Sequence, residues 1–130
     1  MALKILLADP DENWLSDAAD YFKKQLYEVV TVTNGREAQV QLYNNSFFAA
    51  ILGYDIKNHS ASQVIKFINA NHKGLRLIVM LDREHLAAEE GLLEKLGKEG
   101  VSETLVRPFS KDDLLEVLEG HQSFGDLLHS

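Results

Sequence analysis

An α/β fold with a doubly wound, five-stranded parallel sheet is what the sequence predicts, and three observations carry that expectation. Short apolar bursts alternate with amphipathic stretches from end to end of the 130 residues. The bursts are near-continuous aliphatic runs, the pattern of strands buried on both faces. No repeat and no Gly/Ser-rich or Pro-rich linker interrupts them, so residues 1–121 read as one domain and 122–130 as a tail or the start of a linker.

The first strand is Leu3 to Ala8, ended by Asp9-Pro10-Asp11. Trp14, Leu15, Ala18, Ala19, Phe22 and Leu26 then recur at helical spacing, with Asp17, Asp20, Lys23 and Lys24 in other directions, as on a helix packed against a sheet. Val29 to Thr33 is rich in β-branched residues and stops at Asn34-Gly35, a strong turn signal. A helix near Arg36 to Tyr43 and a strand near Phe48 to Leu52 follow, then a loop to about Ser60. Ser60 with Gln63 forms a capping box ahead of Val64, Ile65, Phe67 and Ile68, which marks the third helix.

Leu77 to Leu81 is the most apolar strand. Leu86, Leu92, Leu93 and Leu96 line a long fourth helix that contains Gly91, a poor helix residue. Thr104 to Val106 is a short fifth strand leading into Arg107-Pro108-Phe109, and Ser110 with Asp113 caps a fifth helix carrying Leu114, Leu115, Val117 and Leu118. Five strands alternating with five helices imply right-handed crossovers and helices on both faces. In such sheets chemistry gathers at the carboxyl ends of the strands, here Asp9 to Asp11, Gly53 to Asp55, Leu81 to Arg83, and Arg107.

Composition narrows the function classes. The chain has no cysteine, which removes disulfides, thiol nucleophiles, iron–sulfur clusters and cysteine-bound zinc. Twenty acids against thirteen bases give a net charge of −7, which argues against a nucleic-acid or anionic-membrane surface. The partner expected is a protein. The N-terminal apolar run is too short for a secretory signal, and no stretch approaches the roughly 20 apolar residues that cross a bilayer, so a cytoplasmic location is expected. His59, His72, His85, His121 and His129 show no ligand spacing and read as surface residues; Trp14 reads as a partly buried packing residue.

At the strand ends the sequence resembles the receiver domain of bacterial response regulators, the chemotaxis-type domain of two-component signalling. The resemblance rests on Lys4-Ile-Leu-Leu-Ala-Asp9, the Asn34-Gly35 turn, the apolar strand ending at Gly53, and Gly100-Val-Ser-Glu-Thr-Leu-Val-Arg-Pro-Phe109, and covers Lys4 to about Gly120. It implies the flavodoxin-like strand order 2-1-3-4-5. It also implies phosphoryl transfer to an aspartate, which needs a carboxylate nucleophile, Mg2+ held by neighbouring carboxylates, and a hydroxyl and a lysine on the acyl phosphate.

Against that pattern the chain is degenerate. Asp9 is retained, but the second metal-site acid is Pro10, and Asp11 substitutes only if the backbone turns differently. The acceptor position is Gly53, the hydroxyl position is Leu81 with Asp82 beside it, the aromatic switch position is Thr104, and the lysine is Arg107. Arg107 is expected to pair with Asp9 as a plug in the former phosphate site, with no catalytic residue, no cofactor and no metal. Asp55, two residues beyond Gly53, is the alternative acceptor or metal ligand, with Mg2+ on Asp9, if the strand runs on through Tyr54.

The resemblance thus implies a pseudo-receiver acting by phosphorylation-independent protein–protein interaction. Its partner would be a histidine kinase, another signalling protein or an output domain, and the fourth and fifth helices offer a homodimer surface. Their leucines exceed what one core face needs. A third possibility is a small-molecule sensor using the room left by the missing side chain at Gly53.

Overall fold

The structure, a computed structural model, describes residues 2–72 and 74–120. The expected tail and the histidines His121 and His129 lie outside the described residues. The strands are β1 Lys4–Ala8, β2 Glu28–Val32, β3 Ala49–Gly53, β4 Arg76–Leu81 and β5 Glu103–Val106. They form one sheet in the order β2-β1-β3-β4-β5, every pair parallel. The helices are α1 Glu12–Lys24, α2 Gly35–Asn44, α3 Ala61–Asn71, α4 Arg83–Ala88, α5 Leu92–Lys98 and α6 Lys111–Glu119.

Strand alternation divides the core in two. Leu6, Ala8, Ala50, Leu52, Leu77, Val79 and Leu81 meet the buried residues of α2, α3 and α5. Ile5, Leu7, Ala49, Ile51, Ile78 and Met80 meet those of α1 and α6, including Phe22 and Leu114. The α1–α6 layer is also tied at its surface, where the Tyr21 hydroxyl donates to Asp112 at 2.5 Å and that of Tyr27 to Glu119 at 2.9 Å.

Three expectations are corrected. The single long fourth helix is two short ones, because Glu89 is extended and Gly91, at φ 75°, turns left-handed and starts a new helix at Leu92. Leu26 is not on the buried face of α1: the helix stops at Lys24, and Leu26 stands at φ 71° with 80% of its surface exposed. The leucines of the last helices are mostly core, since Leu92, Leu96, Leu114 and Leu118 are buried and Leu93 is exposed.

The caps account for where helices begin. Ser60 and Ser110 each accept from the residue three ahead, and Gln63 and Asp113 bond back to the cap N–H. Asn34 does more than turn the chain, because its Oδ1 accepts the Glu37 N–H at 2.9 Å and so caps α2. Gly35 is required by close packing, since a Cβ there would sit 1.8 Å from the carbonyl oxygen of His59. Gly35→Ala is therefore expected to cost about 3 kcal/mol as the loop before α3 is forced away. Urea unfolding would register this as a lowered midpoint.

Candidate functional site

Alternation along the strands builds the site. Ile5 and Leu7 face α1 and α6, so the next residue in that series is Asp9; Ala49 and Ile51 lead to Gly53, and Ile78 and Met80 lead to Asp82. Leu105 packs in the same layer and is followed two residues on by Arg107. Four strand ends thus aim at one cleft of about 180 Å3, lined by Asp9, Pro10, Asp11, Asp55, Asp82 and Arg107.

Asp9 is at its centre and only 4% exposed. Its Oδ1 accepts from Arg107 Nη2 at 2.7 Å, and its Oδ2 accepts the Asp11 backbone N–H at 3.0 Å. The other arm of the fork, Arg107 Nη1, reaches Asp82 Oδ1 at 3.1 Å. One guanidinium therefore joins the ends of β1, β4 and β5, a geometry that needs the planar fork of arginine. The Arg107 backbone N–H also donates to Leu81 O at 2.8 Å.

Gly53 explains the position of Asp9. A Cβ at residue 53 would lie 2.2 Å from Asp9 Oδ1 and 3.1 Å from Asp55 Oδ1. The space of the missing side chain is taken by the Asp9 carboxylate, which corrects the expectation that Gly53 leaves room for a ligand. Pairing continues one residue past β3, through the Tyr54 N–H to Met80 O at 2.9 Å. The chain then turns, Ile56 N–H donating to Gly53 O at 3.3 Å, and this turn brings Asp55 over the cleft although β3 ends at Gly53.

Other positions fall elsewhere. Pro10 lines the rim, and Asp11 caps α1 by accepting the Trp14 N–H at 3.0 Å. Leu81 is corrected: it is fully buried in the layer of α2, α3 and α5, and the residue from the end of β4 that enters the cleft is Asp82. Thr104 pairs with Val79 in β5 and does not line the cleft. Asp82 was legible, since counting by twos from Ile78 reaches it.

Burial pushes the Asp9 carboxyl above its usual 3.8. The Asp11 N–H and Arg107 oppose the shift, while the carboxylates of Asp55 and Asp11 add to it. The donor set does not fit the Mg2+ that the resemblance implies: both Asp9 oxygens are engaged, and proline replaces the neighbouring acid. Among the described residues no group of three or more His, Cys, Asp or Glu side chains is disposed to hold a metal ion.

A raised carboxyl binds its proton more tightly folded than unfolded, so the Asp9 contribution to stability falls as pH rises from 3.8 through the raised value. Subtracting the unfolding midpoints of Asp9→Asn from those of the parent between pH 3.5 and 7 should give a difference that declines with pH. A flat or rising difference would contradict the assignment.

No protein-family model matches the chain, and no curated protein matches it. Solved structures do. The receiver domain of the Francisella response regulator 1452 is 20% identical with a TM-score of 0.78, over 90% of this chain and 93% of that one. The chemotaxis response regulator CheY4 of Vibrio cholerae is 20% identical with a TM-score of 0.78, over 92% and 98%. A chain described as adenylate cyclase from Rhodopirellula baltica is 17% identical with a TM-score of 0.81, over 100% and 99%. Together with the strand order β2-β1-β3-β4-β5 and helices on both faces, these likenesses show that the chain has the receiver-domain fold of response regulators.

Proposed function

We propose that this chain is a receiver-like module of two-component signalling that acts through protein–protein interaction without being phosphorylated. The observation that carries this reading is the filled space at position 53, where Asp9 Oδ1 lies 2.2 Å from where an acceptor side chain would begin and is held by Arg107. A phosphoryl group has neither a nucleophile there nor a free cation, because Arg107 already serves two carboxylates. Coupling from the strand ends to the helices then needs no phosphoryl group: Arg107 joins β5 to β1 and, through Asp82, to the start of α4.

The partner is a protein, of the histidine kinase, signalling-protein or output-domain class, or a second copy docking through α4, α5 and α6, where Leu93 is exposed. The net charge of −7 disfavours polyanions. Among the described residues no helix is long and apolar enough to cross a membrane. The cleft, at about 180 Å3, falls below the roughly 300–1,000 Å3 of small-molecule sites, which leaves the sensor reading without support.

One observation favours a second reading, phosphorylation on Asp55. Its Oδ1 lies 3.1 Å from the Cβ position of residue 53, close to where an acceptor carboxylate would stand, and a metal on Asp9 would first have to displace Arg107.

Incubation with Mg2+ and acetyl phosphate is expected to add no phosphoryl mass and to leave Trp14 fluorescence unchanged. Labelling that disappears in Asp55→Asn would replace the main reading with the second. Gly53→Asp is expected to remain unlabelled and to unfold at lower denaturant, because its Cβ meets Asp9.

A further inference from the structure

We propose that His85 is a proton-sensitive catch that closes α4 at neutral pH and releases it on acidification. The device goes beyond the function proposed above and is read on the free chain. Helix α4 runs over six residues, Arg83–Ala88, none of them fully buried, with Leu86 partly buried against the core. Its N-terminal end is held by polar contacts. The Asp82 backbone N–H donates to His85 Nδ1 at 2.8 Å, and the His85 N–H donates to Asp82 O at 3.0 Å. The imidazole therefore does the work of the Gln or Glu of a capping box, satisfying a donor at the helix start.

That bond fixes the protonation state. To accept at Nδ1 the ring must be neutral, with its proton on Nε2. A second proton can go only to Nδ1, where it would confront the Asp82 N–H, donor against donor. Protonation and the closed cap exclude one another.

The groups that meet the ring are tied to the same joint. The Tyr54 ring meets His85 edge to face at 5.1 Å, and its hydroxyl donates to Glu89 Oε1 at 3.2 Å. Glu89 in turn accepts from Lys95 of α5 at 3.1 Å, and its N–H donates to His85 O at 3.1 Å. Asp82, on the other side, has its carboxylate on Arg107. An imidazolium that turns away from the Asp82 N–H thus abandons the cap and the Tyr54 contact together, and the apolar anchor left to α4 is the partly buried Leu86. Opening is coupled to proton uptake, so the open population rises as pH falls.

Amide hydrogen exchange of residues 82–89, corrected for intrinsic rates, tests this between pH 7.5 and 5. Loss of one cap predicts protection lower by roughly fivefold at pH 5, with the β4 amides unchanged. In His85→Gln, whose Oε1 accepts without titrating, protection should be the same at both pH values. An equal pH response in parent and variant, or none in the parent, overturns the proposal. Nitrogen NMR of the parent imidazole gives a check independent of any variant: the Nε2–H tautomer is expected at pH 7.5, and the Nδ1–H tautomer would refute the catch.

Discussion

A carboxylate withdrawn from water at the end of an inner strand is the constraint on which the cleft depends. Leaving such a charge unpaired costs several kcal/mol, so each oxygen of Asp9 must be met. The backbone turn at Pro10-Asp11 meets one, with the Asp11 N–H, and Arg107 meets the other from across the sheet. Arginine is suited to this because its two terminal nitrogens can serve carboxylates from different strands, and the second arm finds Asp82. The pair is partly exposed on the Arg107 side, so its contribution to stability is smaller than full burial would give. Its effect on geometry is larger, since Arg107 links the ends of three strands, β1, β4 and β5, to one another.

The two sides of the cleft are stabilised differently. β1, β3 and β4 are anchored by side chains with no exposure on either face of the sheet, and apolar burial of that kind is non-directional and persistent. α4 has no fully buried anchor and depends on the partly buried Leu86, a cap, an aromatic edge and an ion pair. Local openings are drawn from elements with few buried apolar contacts, and α4 is the described helix with no buried residue. The split from α5 at Gly91 adds to this, because a continuous helix would have tied α4 to the buried Leu92 and Leu96.

Much of the fold was legible because its signals are local. The aliphatic runs, the β-branched second strand and the caps at Ser60 and Ser110 each follow from neighbours within a few residues. Gly91 was visible as a weak point, but whether a glycine bends a helix or divides it depends on packing, and here Leu92 is drawn into the core while Glu89 goes to Tyr54. Leu26 carried the right period and the wrong place, because α1 ends two residues earlier. In the site, Asp9, Gly53 and Arg107 could be located from strand ends and the family pattern. Leu81 was chosen by that pattern, whereas alternation from Ile78 and Met80 leads to Asp82. What no sequence signal carried is that Asp9 lies over Gly53, since this depends on the direction of one side chain across two strands.

The filling of the space above Gly53 also bears on which single substitutions the cleft can take. An aspartate placed at that position alone meets the Asp9 oxygen first, and Asp9 is held there by Arg107. Arg107 in turn also serves Asp82, so replacing it removes the cation from two carboxylates at once. Substitutions at positions 9, 53, 82 and 107 are therefore coupled, because each changes what the others contact. The ion pair is thus a lock of several parts, in which no residue can be changed without altering the surroundings of the rest.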